Sequence, residues 1–288
     1  MKVSRRHFLK SAGIVSTLWL LDHKSALPQS ECKFPLGACD WSLWTEGPTA
    51  LELAKSIGLN GVEISAGKPT DKLAISDTVL IQQYKEKMRE TGVLIPSIAM
   101  ALLNDAPFAT DPRAVGWLMD TIDSAKDLGS NVILLAFFGK GDLRDKGKIK
   151  QDEVSEVVSR LKEPSAKAKE KGIILGLENT LSADENLDIL NRIDNDACRI
   201  YYDIGNSTYN GYDVPAEIRK LRDKICQFHF KDGAFYLGKG KVKMEPVKEA
   251  ILEIGYKGWI ILETGLPTMN KVKDFKVNAD YVCNLFKV

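Results

Sequence analysis

A single (β/α)8 barrel is the fold class this sequence predicts, and three observations carry the prediction. Short apolar runs alternate with stretches of helical periodicity, the pattern of strands buried on both faces and joined by helices in a parallel sheet. The last four runs each end in a polar residue, and these residues (Glu178, Asp203, His229 and Glu263) are spaced 25, 26 and 34 apart, about one βα unit each. Cys32 to Val288 comprises 257 residues, which suits one barrel of about 250 residues and leaves little room for a second domain.

In chain order, residues 1–30 are expected to be a twin-arginine signal peptide and linker, and residues 31–288 the barrel domain. Ser4-Arg5-Arg6-His7-Phe8-Leu9-Lys10 precedes an apolar stretch from Ala12 to Leu21 that ends at Asp22. That stretch is too short to span a bilayer, so the segment is an address read by export machinery and no permanent membrane anchor is expected. The predicted location is the periplasm or another exported compartment. Without residues 1–26 the formal net charge falls from +1 to −3. Basic residues are scattered as solvated helix faces, so no nucleic-acid or anionic-membrane partner is expected. A homo-oligomer is compatible with the sequence.

The strands follow in order. Phe34–Ala38 leads into Cys39-Asp40-Trp41-Ser42. Gly61–Ile64, Val93–Ala99 and Val132–Phe137 are strands two to four, separated by helices over Thr49–Ile57, Thr78–Thr91 and Pro112–Leu128. A long loop from Phe138 to Lys150 precedes a helix over Asp152–Lys171. Ile173–Leu177, Arg199–Tyr202, Ile225–Phe228 and Trp259–Leu262 complete the barrel, with helices over Ala183–Ile193, Val214–Asp223 and Val242–Ile254 between them. Ser182 and Glu185 have capping-box spacing at the start of the first of these helices. Of the five cysteines, Cys39, Cys198 and Cys226 lie in strand runs, where a small buried side chain is the default. The odd number and the lack of CxxC spacing argue against a disulfide framework, while a single bridge stays open.

The strand ends of a closed barrel converge on the face that carries chemistry. Three carboxylates and one imidazole at that face repel unless a cation holds them, so Glu178, Asp203, His229 and Glu263 are the expected ligands of one divalent metal ion. Oxygen-rich ligation with one nitrogen suits manganese first, with magnesium, cobalt or zinc as alternatives. His229 is the one histidine beyond the leader, which excludes sites that need several. Asn206 and Lys231 are placed to reach substrate, as is Trp41, with Trp44 as a second aromatic wall. Glu63 is expected to be structural.

Leu177-Glu178-Asn179-Thr180, Tyr202-Asp203-Ile204-Gly205-Asn206, His229-Phe230-Lys231-Asp232 and Leu262-Glu263 resemble the xylose-isomerase-like TIM-barrel superfamily. The likeness is to its sugar (phosphate) isomerase/epimerase branch, which includes inosose dehydratase-like and ketose 3-epimerase-like enzymes. The resemblance implies a metal-dependent isomerase or epimerase that acts on a small sugar or keto-sugar through an enediolate, with Glu178 and Glu263 both ligands and the acid/base pair. A lyase or hydrolase of keto-glycosides, or an inosose-type dehydratase, would use the same enediolate. A non-catalytic sugar-binding barrel is a third reading. The chain departs from the family pattern at Leu237-Gly238-Lys239-Gly240, where Lys239 stands in place of an acidic residue.

Overall fold

The computed structural model describes residues 32–287; the leader expected over residues 1–30 lies outside them. Eight parallel strands close on themselves: β1 (Leu36–Cys39), β2 (Gly61–Ser65), β3 (Ser97–Met100), β4 (Val132–Ala136), β7 (Ile174–Glu178), β8 (Cys198–Asp203), β9 (Ile225–Phe230) and β10 (Ile260–Leu262). β1 pairs with both β2 and β10, so the ring has no edge. β5 (Arg144–Asp145) and β6 (Lys148–Ile149) form a separate antiparallel hairpin.

The helices are α1 (Thr49–Ile57), α2 (Thr78–Thr91), α3 (Ala114–Leu128), α4 (Gln151–Lys171), α5 (Ala183–Ile193), α6 (Ile204–Tyr209), α7 (Val214–Leu221), α8 (Met244–Glu253) and α9 (Lys271–Leu285). The longer helices pack apolar stripes on the barrel; in α1 this is Ala50, Leu51, Ala54 and Ile57. The expected capping box at Ser182 and Glu185 is present at the start of α5.

Three departures from expectation have local causes. The third ladder begins at Ser97 because Pro96 has no N–H to donate, leaving Leu94 with an isolated bridge to Gly61. The loop from Phe138 to Lys150 contains the β5–β6 hairpin, turned at Lys146 and Gly147. Both have positive φ, 46° and 79°, as a type I′ turn requires. α9, the helix after the last strand, was given no bounds from the sequence; Asn270 starts it by accepting a hydrogen bond from the Lys273 amide.

One bridge also forms. Cys32, just before β1, is disulfide-bonded to Cys283 on α9 across a sequence separation of 251, while Cys39, Cys198 and Cys226 are free. Closing a loop this long constrains the unfolded chain strongly, and removing such a bridge costs about 2–5 kcal/mol. Cys32→Ser/Cys283→Ser is therefore expected to lower the unfolding free energy by that amount, read as a lower denaturant midpoint at unchanged slope. Reductant should do the same to the native chain and leave the double variant unmoved. Among the described residues, no helix is long and apolar enough to cross a membrane.

Candidate active site at the strand ends

Glu178 and Asp203 are the last residues of β7 and β8, His229 is the penultimate residue of β9, and Glu263 follows β10 directly. Their side chains meet. His229 Nδ1 lies 3.1 Å from Glu178 Oε1, 3.4 Å from Glu263 Oε2 and 4.0 Å from Asp203 Oδ2. Register supplies the alignment, with Asp203 opposite His229, and His229 opposite Ile261.

Asp203 and Glu263 are held by neighbours outside the cluster. Asp203 Oδ1 accepts hydrogen bonds from the Gly205 and Asn206 amides at 2.7 and 2.8 Å, which fixes the carboxylate at the start of α6 and leaves Oδ2 facing the cluster. Lys231 enters from the end of β9, its Nζ 2.7 Å from Glu263 Oε2 and 2.9 Å from Asp203 Oδ2. Gly205 makes that path possible, because a Cβ there would collide with the Lys231 side chain and carbonyl. Trp41 Nε1 donates to Glu263 Oε1 at 3.2 Å.

The charges are strongly coupled. Burial drives the Asp203 carboxyl up to about 7, with Lys231 opposing the rise and Glu263 and Glu178 adding to it. Burial would also raise Glu263, but His229 and Lys231 outweigh it and hold that carboxyl at about 2. Burial works against charge on His229, yet Cys39, Glu178, Glu63 and Glu263 together raise the imidazole well above its usual range.

The four residues fit a divalent cation. One atom from each of Glu178, Asp203, His229 and Glu263 lies within 4.8 Å of all the others, a spread that matches bonds of about 2.0–2.6 Å to a common centre. Asp203 Oδ2 is buried with no hydrogen bond, since Lys231 Nζ is close but off the direction a hydrogen bond needs. A buried carboxylate oxygen with an ion-pair neighbour but no hydrogen bond, set among three other ligand atoms, suits a cation.

Behind His229 lies a layer of which only Glu63 was singled out in the sequence, as a structural residue. His229 Nε2 is 2.8 Å from Glu63 Oε1, and Glu63 Oε2 accepts from Tyr201 Oη at 2.7 Å and Ser97 Oγ at 2.5 Å. Gln227 Nε2 donates to both Ser97 Oγ and Tyr201 Oη at 2.8 Å. Strand parity held a signal for this layer: Tyr201 and Gln227 stand two residues before Asp203 and His229, so they face the same barrel interior.

A cavity of about 360 Å³ opens above the cluster. Glu178, Glu263, Asn206, Lys231 and Trp41 are in its wall, together with Ser65, Asn104 and Phe138, which the sequence did not single out. All three residues expected to meet substrate are therefore at the cavity. Trp44 is not in its wall and is 59% exposed. Lys231 pairs with Asp203 and Glu263, while the adjacent Asp232 accepts from the Gly240 and Val242 amides.

A closed (β/α)8 barrel with carboxylates and an imidazole gathered beside a cavity at its strand ends is a scaffold for chemistry at that face. The chain belongs to the xylose isomerase-like TIM barrel family, whose model matches residues 51–282. It is 27% identical over 266 residues to L-ribulose-5-phosphate 3-epimerase UlaE of Escherichia coli, covering 84% of this chain and 85% of that protein. It is 24% identical over 200 residues to 2-epi-5-epi-valiolone 7-phosphate 2-epimerase of an Actinoplanes species, covering 69% and 72%. Among solved structures, an L-ribulose 3-epimerase superposes with a TM-score of 0.72 at 19% identity over 88% of this chain and 94% of that one, a likeness of fold.

Proposed function

We propose that this chain is a divalent-metal-dependent sugar epimerase or isomerase that removes and returns a proton on the carbon beside a carbonyl. The observation that carries the reading is the convergence of Glu178, Asp203, His229 and Glu263 to within 4.8 Å at the base of a cavity walled in part by the two glutamates. Epimerase names on the relatives support it. A divalent ion held by these four side chains would supply Lewis acidity to the carbonyl; manganese suits the donors best, with magnesium, cobalt or zinc also compatible.

The chain's own groups supply the rest. Glu178 and Glu263 come from β7 and β10, which are separated by β8 and β9 around the barrel, so they face a bound sugar from different sides. One carboxylate is placed to take the proton and the other to return it on the opposite face. Trp41 and Lys231 both hold Glu263, fixing its direction. Among the described residues, Lys231 is the one cation in the cavity wall, and it is committed to Asp203 and Glu263. With no further cation among the described wall residues to neutralise a phosphate, a neutral sugar is the better match.

The test is incubation of the metal-loaded protein with neutral ketoses and aldoses in D₂O. Deuterium is expected at the carbon next to the carbonyl, with the epimer or isomer accumulating. A panel of such sugars showing no exchange would overturn the reading. A second reading, cleavage of keto-glycosides, is favoured by one observation. Trp44, Phe235 and Met269 are exposed large apolar side chains on the loops after β1, β9 and β10, three neighbouring strands at the cavity's end of the barrel. They suit a substrate that extends past one sugar ring. Release of a fragment from a 3-keto-glycoside would favour this reading, and exchange without release the first.

We also propose that the chain is exported, as the Arg5-Arg6 leader suggests. The Cys32–Cys283 disulfide supports an oxidising compartment.

A further inference from the structure

A second group of ligand-type side chains lies behind the first: Cys39, Glu63 and His229, also within 4.8 Å of one another. Two metal sites would then share one histidine, and hydrogen bonding decides against that. Glu63 is inaccessible to solvent, and both its oxygens are used, Oε1 facing His229 Nε2 and Oε2 accepting from Tyr201 and Ser97. The Cys39 thiol sits at 3.5 Å from His229 Nε2 and 3.7 Å from Glu63 Oε1, inside the same bonded layer. The buried carboxylate oxygen without a hydrogen bond is on the other side of the imidazole, at Asp203 Oδ2.

We propose that Glu63 is a positioning residue for the metal centre: it holds the proton of His229 on Nε2, so that the Nδ1 lone pair points at the site formed with Glu178, Asp203 and Glu263. The inference rests on the metal-centre reading above and adds a residue to it. A carboxylate behind a metal-binding imidazole does two things at once. It selects the tautomer, and its charge makes the ring a stronger donor. Here the carboxylate cannot turn away, because Tyr201 and Ser97 clamp its other oxygen. Gln227, bonded to both of these, locks the clamp. The four residues come from four strands, β2, β3, β8 and β9, so ring orientation is tied to the barrel itself and not to a loop.

The experiment uses the full chain and its Glu63→Gln, Glu63→Ala and Tyr201→Phe variants. Mn²⁺ affinity is measured by competition with a chelator, and thermal midpoints are recorded with and without metal. Partners of this kind change metal affinity about 10–100-fold. Glu63→Gln keeps an acceptor without its charge and is expected near the lower end of that range. Glu63→Ala is expected near the upper end, and Tyr201→Phe, which only loosens the clamp, below both. A residue that merely packs would lower both midpoints equally and leave the rise on metal addition untouched; a shrunken rise is expected here. In the ¹⁵N-labelled, Zn²⁺-loaded chain, the His229 signals, identified by their loss in His229→Ala, should show a protected proton on Nε2. Glu63 variants that bind Mn²⁺ like the native chain, or a proton found on Nδ1, would overturn the proposal. A native chain that binds no divalent metal would remove the metal-centre reading as well, so the two failures are distinct. If Glu63→Ala fails to fold, Glu63→Gln and Tyr201→Phe still decide the matter.

Discussion

Glu178→Gln and Glu263→Gln are each expected to lower turnover about 10²–10⁴-fold at saturating metal, the usual weight of a lost general acid or base. The amide keeps an oxygen that can still face a cation, so metal occupancy should fall much less than activity. His229→Ala removes a ligand atom and no proton carrier, and excess Mn²⁺ is expected to recover part of its activity. Geometry separates the two glutamates further. Glu263 is held by Trp41 and by Lys231, with His229 Nδ1 at 3.4 Å, and its carboxyl sits at about 2. Glu178 has fewer partners, with His229 Nδ1 at 3.1 Å. The measurement is kcat for all three variants across a metal titration, on whichever sugar exchanges in D₂O. Recovery of both Gln variants to the level of His229→Ala would make the glutamates ligands alone.

The barrel was legible because its strands are buried on both faces, so each appears as an apolar run cut off by a polar residue. Where that contrast is weak, the sequence misled. Val93–Pro96 is apolar enough to extend a strand, yet Pro96 interrupts the ladder and leaves Leu94 with a lone bridge to Gly61. α9 carries Lys271, Lys273, Asp274 and Lys276 in its first turns, which masks its buried face of Phe275, Ala279 and Val282. The Cys32–Cys283 bridge depends on bringing together residues 251 apart, and no local pattern encodes that. The four strand-end residues were visible because spacing alone put them in one plane. Glu63 was not, since its role depends on Ser97, Tyr201 and Gln227, polar residues inside runs that otherwise signal a dry core. Only the parity of Tyr201 with Asp203 and of Gln227 with His229 betrays the layer they form.

Lys231→Met is expected to lower kcat/KM about 10²–10³-fold, the weight of one preorganised donor at a developing charge, while metal binding is retained or tightened. The side chain is nearly isosteric, so the loss isolates the ammonium. Burial disfavours a charged lysine, but Asp203, Glu263 and Glu178 outweigh it and raise its pKa further, so the group stays cationic across the working range. Two consequences follow from its position, 2.9 Å from Asp203 and 2.7 Å from Glu263. Its charge competes with a divalent ion for those two carboxylates, so removing it relieves repulsion between cations. The same charge reaches the cavity wall, where a substrate oxygen gaining negative character would meet it. Loss of a ligand would weaken metal binding and activity together. Loss of Lys231 should separate them, and the paired measurement is chelator-competed Mn²⁺ affinity beside kcat/KM. Unchanged kcat/KM would confine Lys231 to balancing the carboxylates. Weaker metal binding would show instead that its contacts hold Asp203 and Glu263 in place, since a displaced carboxylate loses more than the relieved repulsion returns.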